Sequence, residues 1–341
     1  MLQIIITLAI FMVLVLPMGK YMYHIAAHLP TFADPVLDRV DHVLYRLCGI
    51  KQSEGMGFKK YVLSLVLTNA VMVFAGYLVL RLQALPLFNP NGVSGMEATL
   101  SFHTILSFIT NTNLQHYAGE SGLSYLSQML VITFLMFASA ATGYAACMAF
   151  CRALTGTKKD MGLFLVFCGV PQNLAQTVTV ATLEGKSQDI AMGPMASLEI
   201  IKHLGTNGGG FLGANSAAPL ENPSIVTNLV ELLSMMLLPG ACVVTFGLMF
   251  HSRKNTDADA AKASALKKRR VFLGGEGRTL FLTMSLLFVI GLTVCYFAEK
   301  SGNPALASIG LNQSMGSMEG KEVRFGIAQS ALFTTATTSF T

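Results

Sequence analysis

Twice in this chain a polar loop follows an apolar run too short to cross a bilayer and precedes a longer one that can. The first loop reads Thr110-Asn111-Thr112-Asn113, after residues 98–109. The second reads Gly205-Thr206-Asn207-Gly208-Gly209-Gly210, after residues 194–204. A hydrocarbon core of about 30 Å takes roughly 20 helical residues to cross, so both preceding runs stop inside it. Non-helical backbone is tolerated at that depth only where protein buries it or where it lines a water-filled path. A short helix, a polar loop and a spanning helix make a pore hairpin. The carbonyls of such a loop can replace an ion's hydration shell.

Composition supports spans around these loops. The chain is 52% hydrophobic and 12% charged, against about 25% charged for a soluble domain. Spans are expected at about 2–24, 61–84, 124–150, 226–250 and 279–298. Residues 2–16 lack a basic n-region and a small-residue cleavage site, so they read as a retained span and not as a signal peptide. The net charge of +5 is no nucleic-acid signal, because the basic residues are confined to a few loops. Lys20, Arg39, Arg46, Lys51, Lys59 and Lys60 lie in 20–60, Arg152, Lys158 and Lys159 in 152–159, and eight more in 251–278, including Lys267-Lys268-Arg269-Arg270. Residues 85–123 hold none. Cytoplasmic loops collect Lys and Arg, which places these three loops inside and the N-terminus and both polar loops outside. One crossing is then short. Between Lys159 and Gln172 only residues 161–170 are available, about 15 Å of helix. A missing span explains this better than a distorted one. The six cysteines, Cys48, Cys147, Cys151, Cys168, Cys242 and Cys295, read as small apolar residues, with no disulfide framework or zinc spacing.

The loop residues suit a cation filter. Thr offers a carbonyl and a hydroxyl, Asn tolerates left-handed backbone, and Gly adopts it at little cost. Neither loop contains an acidic residue, so the ligands are neutral dipoles, which favours a monovalent ion over Ca²⁺. A Gly-rich turn between helices is the plainer alternative for either loop alone; the repetition argues against it. No Gly-Lys-Ser/Thr follows to make a phosphate loop. Gln115 either lines the outer mouth or caps its loop. Glu120 and Glu221 either attract cations or hold the loops by hydrogen bonds. Glu231 sits in a span near its outer end, where snorkelling is the expected arrangement. His103 and His203 are expected to be satisfied histidines on the short helices. Residues 321–333 read as a third short helix, and Thr334-Thr335-Ala336-Thr337-Thr338-Ser339-Phe340-Thr341 as a third polar loop.

The residues around these loops resemble a known family. Ser107-Phe108-Ile109-Thr110-Asn111-Thr112-Asn113-Leu114-Gln115, then Tyr117-Ala118-Gly119-Glu120, is similar to the first pore loop of the KdpA family of potassium-transporting ATPases. Leu204 to Phe211, with Ala214-Asn215-Ser216 and Glu221-Asn222-Pro223, resembles the second. Met318-Glu319-Gly320-Lys321-Glu322 and Arg324-Phe325-Gly326 resemble the approach to the third. The resemblance implies an all-α polytopic membrane protein, with repeated helix–pore-loop–helix units around a central cation filter that is incomplete here. It implies K⁺ held by Asn111, Thr112 and Asn113 and by Thr206, Asn207 and Gly208, with Gln115 tied to affinity and Thr341 at the start of a third filter. The implied partners are a P-type ATPase catalytic subunit (KdpB-like) that uses the ATP, a single-span subunit (KdpC-like), a small accessory peptide (KdpF-like) and the lipid bilayer. The implied location is the bacterial inner membrane. The family's chains carry a full spanning helix near Met161 and continue past Thr341, so this chain looks internally deleted and C-terminally truncated.

The expected organisation is 1–60, an N-terminal span and cytoplasmic loop; 61–155, the first repeat; 156–252, a second repeat with a shortened first helix; and 253–341, a third repeat cut in its filter loop. The function expected is K⁺ binding and translocation in an ATP-driven uptake complex. Neither a P-type Asp-Lys-Thr-Gly-Thr sequence nor a Walker motif is present, so no ATP hydrolysis is expected of the chain alone. Two other readings stand beside this one: a stand-alone K⁺ channel or symporter of the superfamily of K⁺ transporters that the resemblance implies, and a non-transporting remnant.

Overall fold

In the computed structural model, residues 2–26, 29–30, 46, 58–85, 89–140, 142, 178–182, 184–190, 192–256, 275–318 and 320–340 are described. Among the described residues, four helices are long and apolar enough to cross a membrane. They lie within α1 (Leu2–Ala26), α2 (Phe58–Arg81), α6 (Ile225–Thr256) and α7 (Gly275–Ser301). The chain is thus a multi-pass, helical membrane protein. Leu63, Val66 and Phe74 on α2 and Leu282, Leu286 and Val294 on α7 are exposed, as lipid-facing side chains should be.

Residues 58–140 show how a short helix and a polar loop are set between two longer helices. α2 is followed by a tight connection in which Gln83 Nε2 donates to Ser94 O at 2.8 Å and to Gly122 O at 3.0 Å. The short helix α3 (Ala98–Ile109) then descends beside α2, with Ile105 packed on Gly76. Its start is capped by Glu97, whose carboxylate accepts from the Thr99 and Leu100 amides. Those bonds, led by the Thr99 hydroxyl, hold the Glu97 carboxyl down at about 2. The chain turns at Thr110 and climbs back, and α4 (Tyr125–Ala140) descends again. α4 starts level with the end of α2, since the Ser124 amide donates to Gln83. It passes Gly76 at Val131, and Thr142 beyond its end lies beside Asn69. Residues Gln128–Thr133 are wound as a π-helix. There the Thr133 hydroxyl donates to Gln128 O at 2.8 Å.

Residues 143–177 lie outside the described part, and with them the short crossing at 161–170. After them comes, among the described residues, the one departure from an all-α chain. β1 (Val178–Ala181) and β2 (Ser187–Ile190) pair antiparallel, Val178 opposite Ile190 and Ala181 opposite Ser187. Val178 and Val180 alternate with Thr179, and Gly185 turns the hairpin at φ 75°, a value that suits glycine. α5 (Met195–Leu204) is the second short helix, and α6 follows its loop.

α1, α6, α7 and α9 (Glu322–Phe340, broken at Gly326) form a second bundle. α1 and α6 run the same way: Phe11 and Val15 meet Gly240, and Gly19 meets Val244. A Cβ on Gly19 would lie 2.4 Å from that of Val244, so glycine is what lets the helices approach. α7 runs against α6, with Gly277 on Gly247. α9 runs against α7, with the Phe340 ring tilted against that of Phe288 and Thr335 near Gly291. The turn Pro304–Ser308, α8, joins α7 to the approach of α9.

The third polar loop is not present as a loop. Thr334 to Phe340 continue α9 as helix. The first loop turns at Asn111 and Asn113 and the second at Thr206, Gly209 and Gly210, all at positive φ, whereas 334–340 contain no Asn or Gly. Here the Thr335 hydroxyl donates to Ala331 O and that of Thr338 to Thr334 O, each at 2.7 Å, bonds that fit within a helix. Thr341 lies outside the described residues.

Candidate functional site

The two polar loops meet. Asn111 Nδ2 donates to Thr206 Oγ1 at 3.4 Å, and a Cβ on Gly208 would lie 4.0 Å from that of Asn113. Both sit at one depth, beside α4: Ser139 Oγ donates to Asn111 Oδ1 at 3.2 Å, and Asn207 Nδ2 donates to Met136 O at 3.2 Å. Met136 and Ser139 are three to four helical turns below Ser124, roughly 20 Å at the helical rise. The loops therefore lie deep inside the membrane layer.

Their backbone turns inward at unusual residues. Asn111 (φ 59°), Asn113 (φ 57°) and Thr206 (φ 57°) are left-handed. Asn tolerates this region; a β-branched threonine does so only under constraint, at a cost of order 1–3 kcal/mol. The constraint comes from the short helices. The Thr112 and Asn113 amides donate to Ser107 O at 2.9 and 3.1 Å, and the Leu114 amide to Ser107 Oγ at 2.6 Å. The Thr206 amide donates to His203 O at 3.2 Å and the Asn207 amide to Lys202 O at 2.8 Å. Carbonyls left open at each helix's last turn thus take up the amides of the loop. Among the described residues the carbonyls of Thr112, Asn113, Thr206, Asn207 and Gly208 accept no hydrogen bond. Buried side-chain oxygens Asn113 Oδ1, Gln115 Oε1 and Asn207 Oδ1 also have no partner. Oxygens without donors beside backbone that is out of helix are what a desolvated cation needs.

Gln115 does more than cap its own loop. Its Nε2 donates across to Gly210 O at 3.4 Å, and its amide covers Gly209 and Gly213. Seven of the eight residues expected at the site are thus gathered in the two loops, and Thr341 falls outside the described part. Glu120 keeps one buried oxygen without a partner. His103 packs its ring on His116, with centroids 4.7 Å apart.

Sequence reading missed a charged cluster behind the second loop. Glu199, Lys202 and His203 on α5, with Ser216, Glu221 and Glu231, are wholly buried. Lys202 Nζ lies 2.6 Å from Glu199 Oε2 and donates to Ser216 Oγ at 2.6 Å. Ser216 Oγ donates to Glu199 Oε2 at 2.5 Å. His203 Nε2 lies 3.0 Å from Ser216 Oγ and 3.3 Å from Glu231 Oε2. Glu231 therefore does not snorkel: it points inward to His203. Glu221 Oε1 accepts from the Leu212 amide at 2.8 Å; burial, and then the Glu199 carboxylate, push its carboxyl up to about 8. The signal was in the sequence as Glu199-x-x-Lys202-His203 on a helix at membrane depth, where ionisable side chains are functional candidates.

α9 reaches the same place from the other side. Lys321 Nζ donates to Asn215 O at 2.8 Å, Arg324 donates to Asn222 O and Ala217 O at 2.5 and 2.6 Å, and Asn215 Nδ2 donates to Thr337 Oγ1 at 3.1 Å.

Against known proteins, a family model described as the potassium-transporting ATPase A subunit, KdpA, matches residues 5–164 and 160–341. The potassium-transporting ATPase potassium-binding subunit of Clostridium acetobutylicum is 48% identical over 358 positions, which take in 99% of this chain and 60% of that protein. Those of Staphylococcus haemolyticus and Geobacillus kaustophilus are 43% and 44% identical, over 99% and 96% of this chain and 61% and 59% of their own lengths. The chain thus spans about three fifths of the curated relatives it matches. The 358 aligned positions exceed the 341 residues available, so the Clostridium protein carries residues with no counterpart here. The two matched segments of the family model join at 160–164, where the short crossing was expected.

Proposed function

This chain belongs to the family of potassium-transporting ATPase A subunits, and from that premise we propose that its two pore loops hold K⁺ for an ATP-driven uptake complex. The observation that carries the reading is the meeting of the loops at one depth, with the carbonyls of Thr112, Asn113, Thr206, Asn207 and Gly208 free of donors among the described residues. Together with the amide oxygens of Asn113, Gln115 and Asn207 they form a neutral oxygen set, suited to a monovalent ion that sheds its water. Thr341 joins the proposed set as the start of a third filter. The units 61–155, 156–252 and 253–341 are read as three repeats of one design behind an N-terminal unit of residues 1–60, the second with a shortened first helix and the third with helix in place of a loop at 334–340.

In this reading the chain hydrolyses nothing itself. A P-type ATPase subunit (KdpB-like) splits ATP, a single-span subunit (KdpC-like) completes the complex, and a small peptide (KdpF-like) accompanies it. The complex sits in the bacterial inner membrane, with the N-terminus and both loops reached from outside. The parallel course of α1 and α6, and the opposite course of α7, support an arrangement in which α1 and α6 both descend from the outer face.

Thermal unfolding of the purified chain in lipid nanodiscs tests the proposal, with KCl exchanged for NaCl at constant ionic strength. A ligand that binds only the folded state stabilises it by RT ln(1 + [L]/Kd). K⁺ is expected to raise the midpoint where Na⁺ does not, and Asn111→Ala to abolish the difference. Equal midpoints in the two salts for the unmodified chain would overturn the reading.

A further inference from the structure

We propose that the buried Glu199–Lys202–Ser216 cluster positions the second pore loop and thereby sets its choice among monovalent cations. The inference rests on the reading of that loop as a K⁺ filter and adds residues behind it that touch no ion.

Three connections run from the cluster to the loop. The first is backbone: Lys202 O holds the Asn207 amide at 2.8 Å. The second is steric. Gly210 stands at φ 121°, and a Cβ there would lie 2.8 Å from Glu221 Oε1, 2.9 Å from Glu199 Oε1 and 3.2 Å from Lys202 Nζ. The cluster is thus the wall on which the loop's last glycine rests. The third runs through a strained turn. Asn215 and Ser216 are both left-handed, at φ 47° and 61°. Ser216 is fixed by Lys202, His203 and Glu199, and the Asn215 amide donates to Gly209 O at 2.7 Å.

The cluster is not a metal site. Glu199, His203 and Glu231 bring ligand atoms within 4.8 Å of one another, but the Lys202 ammonium lies 2.6 Å from Glu199 and takes the place a cation would fill. Nor is a buried ion pair an efficient source of stability, since desolvation offsets much of the attraction. What it supplies is a fixed geometry: an ammonium with two short contacts cannot shift without leaving a buried charge unpaired. Selection between ions of similar charge depends on where the loop's oxygens stand, and the cluster fixes where they stand.

The test uses the full chain in nanodiscs, with Lys202→Met, Glu199→Gln, the double variant and Lys202→Arg, beside Val244→Ala in the α1–α6 core as a control for general destabilisation. Hydrogen exchange reports on the loop without reference to potassium. Lys202→Met is expected to speed exchange of the amides in 205–216 by about tenfold or more, while 110–118 stay protected and Val244→Ala leaves both unchanged. Lys202→Arg, which keeps the charge, is expected to restore protection in part. So is the double variant, because removing both partners leaves no uncompensated Glu199 charge. The ratio of K⁺ to Na⁺ stabilisation is read on the same samples and is expected to fall in Lys202→Met and recover in Lys202→Arg. Exchange in 205–216 that matches the unmodified chain, or rises equally in both loops, overturns the positioning role. If the loop loosens selectively but the unmodified chain shows no preference for K⁺, the positioning of the loop stands, and its link to ion choice falls with the filter reading.

Discussion

Thr206 and Asn111 show what single residues contribute. Both hold left-handed backbone, and each bonds to the other across 95 positions of sequence. Asn and Gly could be read as turn-formers directly, because their backbone freedom is intrinsic. Thr206 could not: its conformation is imposed by His203 O and by the loop opposite. Glu221 carries a prediction at this scale. Its folded pKa, about 8, stands above the ordinary value of 4.5. Between those values the folded chain keeps a proton that the unfolded chain has released. The stability tied to it is complete below the ordinary carboxylate range and is lost as pH rises through 8. The thermal midpoint of the chain is expected to fall between about pH 5 and pH 8, and Glu221→Gln to flatten that fall. A slope unchanged in Glu221→Gln would show that another group is responsible.

Among the elements, the short helices followed their sequence closely. α3 is Ala98–Ile109 and α5 is Met195–Leu204; apolar runs that stop at a polar loop have clear ends. α9 did not follow, because threonine has no intrinsic reason to leave a helix whose carbonyls its hydroxyl can reach. The β1–β2 hairpin lay in a stretch with too few apolar residues to draw attention. Packing between elements is where glycine counts. Gly19→Leu would drive a side chain into Val244, 2.4 Å from where its Cβ would stand. An overpacked helix contact costs about 1–3 kcal/mol. Gly275→Leu, at a position with nothing within 4 Å, should cost little by comparison. Denaturant unfolding of the two variants separates these outcomes, and equal loss would remove the argument for a close α1–α6 crossing.

For the whole molecule the issue is orientation. Charge in the loops puts 20–60 and 251–278 on one side and both polar loops on the other. The helix directions agree with this, since α1 and α6 run together and α7 returns. On a cysteine-free background, Asn91→Cys is expected to react with a membrane-impermeant maleimide added outside intact cells. Lys267→Cys should react only after permeabilisation. The reverse pattern would invert the topology. The two cores also belong to this scale: one joins α2, α3 and α4 to α5, the other joins α1 and α6 to α7 and α9. α5 and α6, on either side of the second polar loop, thus lie in different cores.

The sequence by itself determined the membrane class, the two short helices and the polar loops that follow them. These follow from local length, polarity and backbone freedom, which need no partner to be expressed. Only the tertiary structure decided that the loops face each other, that Gln115 reaches the opposite loop, and that Glu231 turns inward. It also showed that Lys202 is buried against Glu199 and Ser216. Apart from the Glu199–Lys202 pair on one helix, each of these depends on residues distant in the chain coming within 3 or 4 Å, and at membrane depth a charge settles wherever the fold supplies a partner.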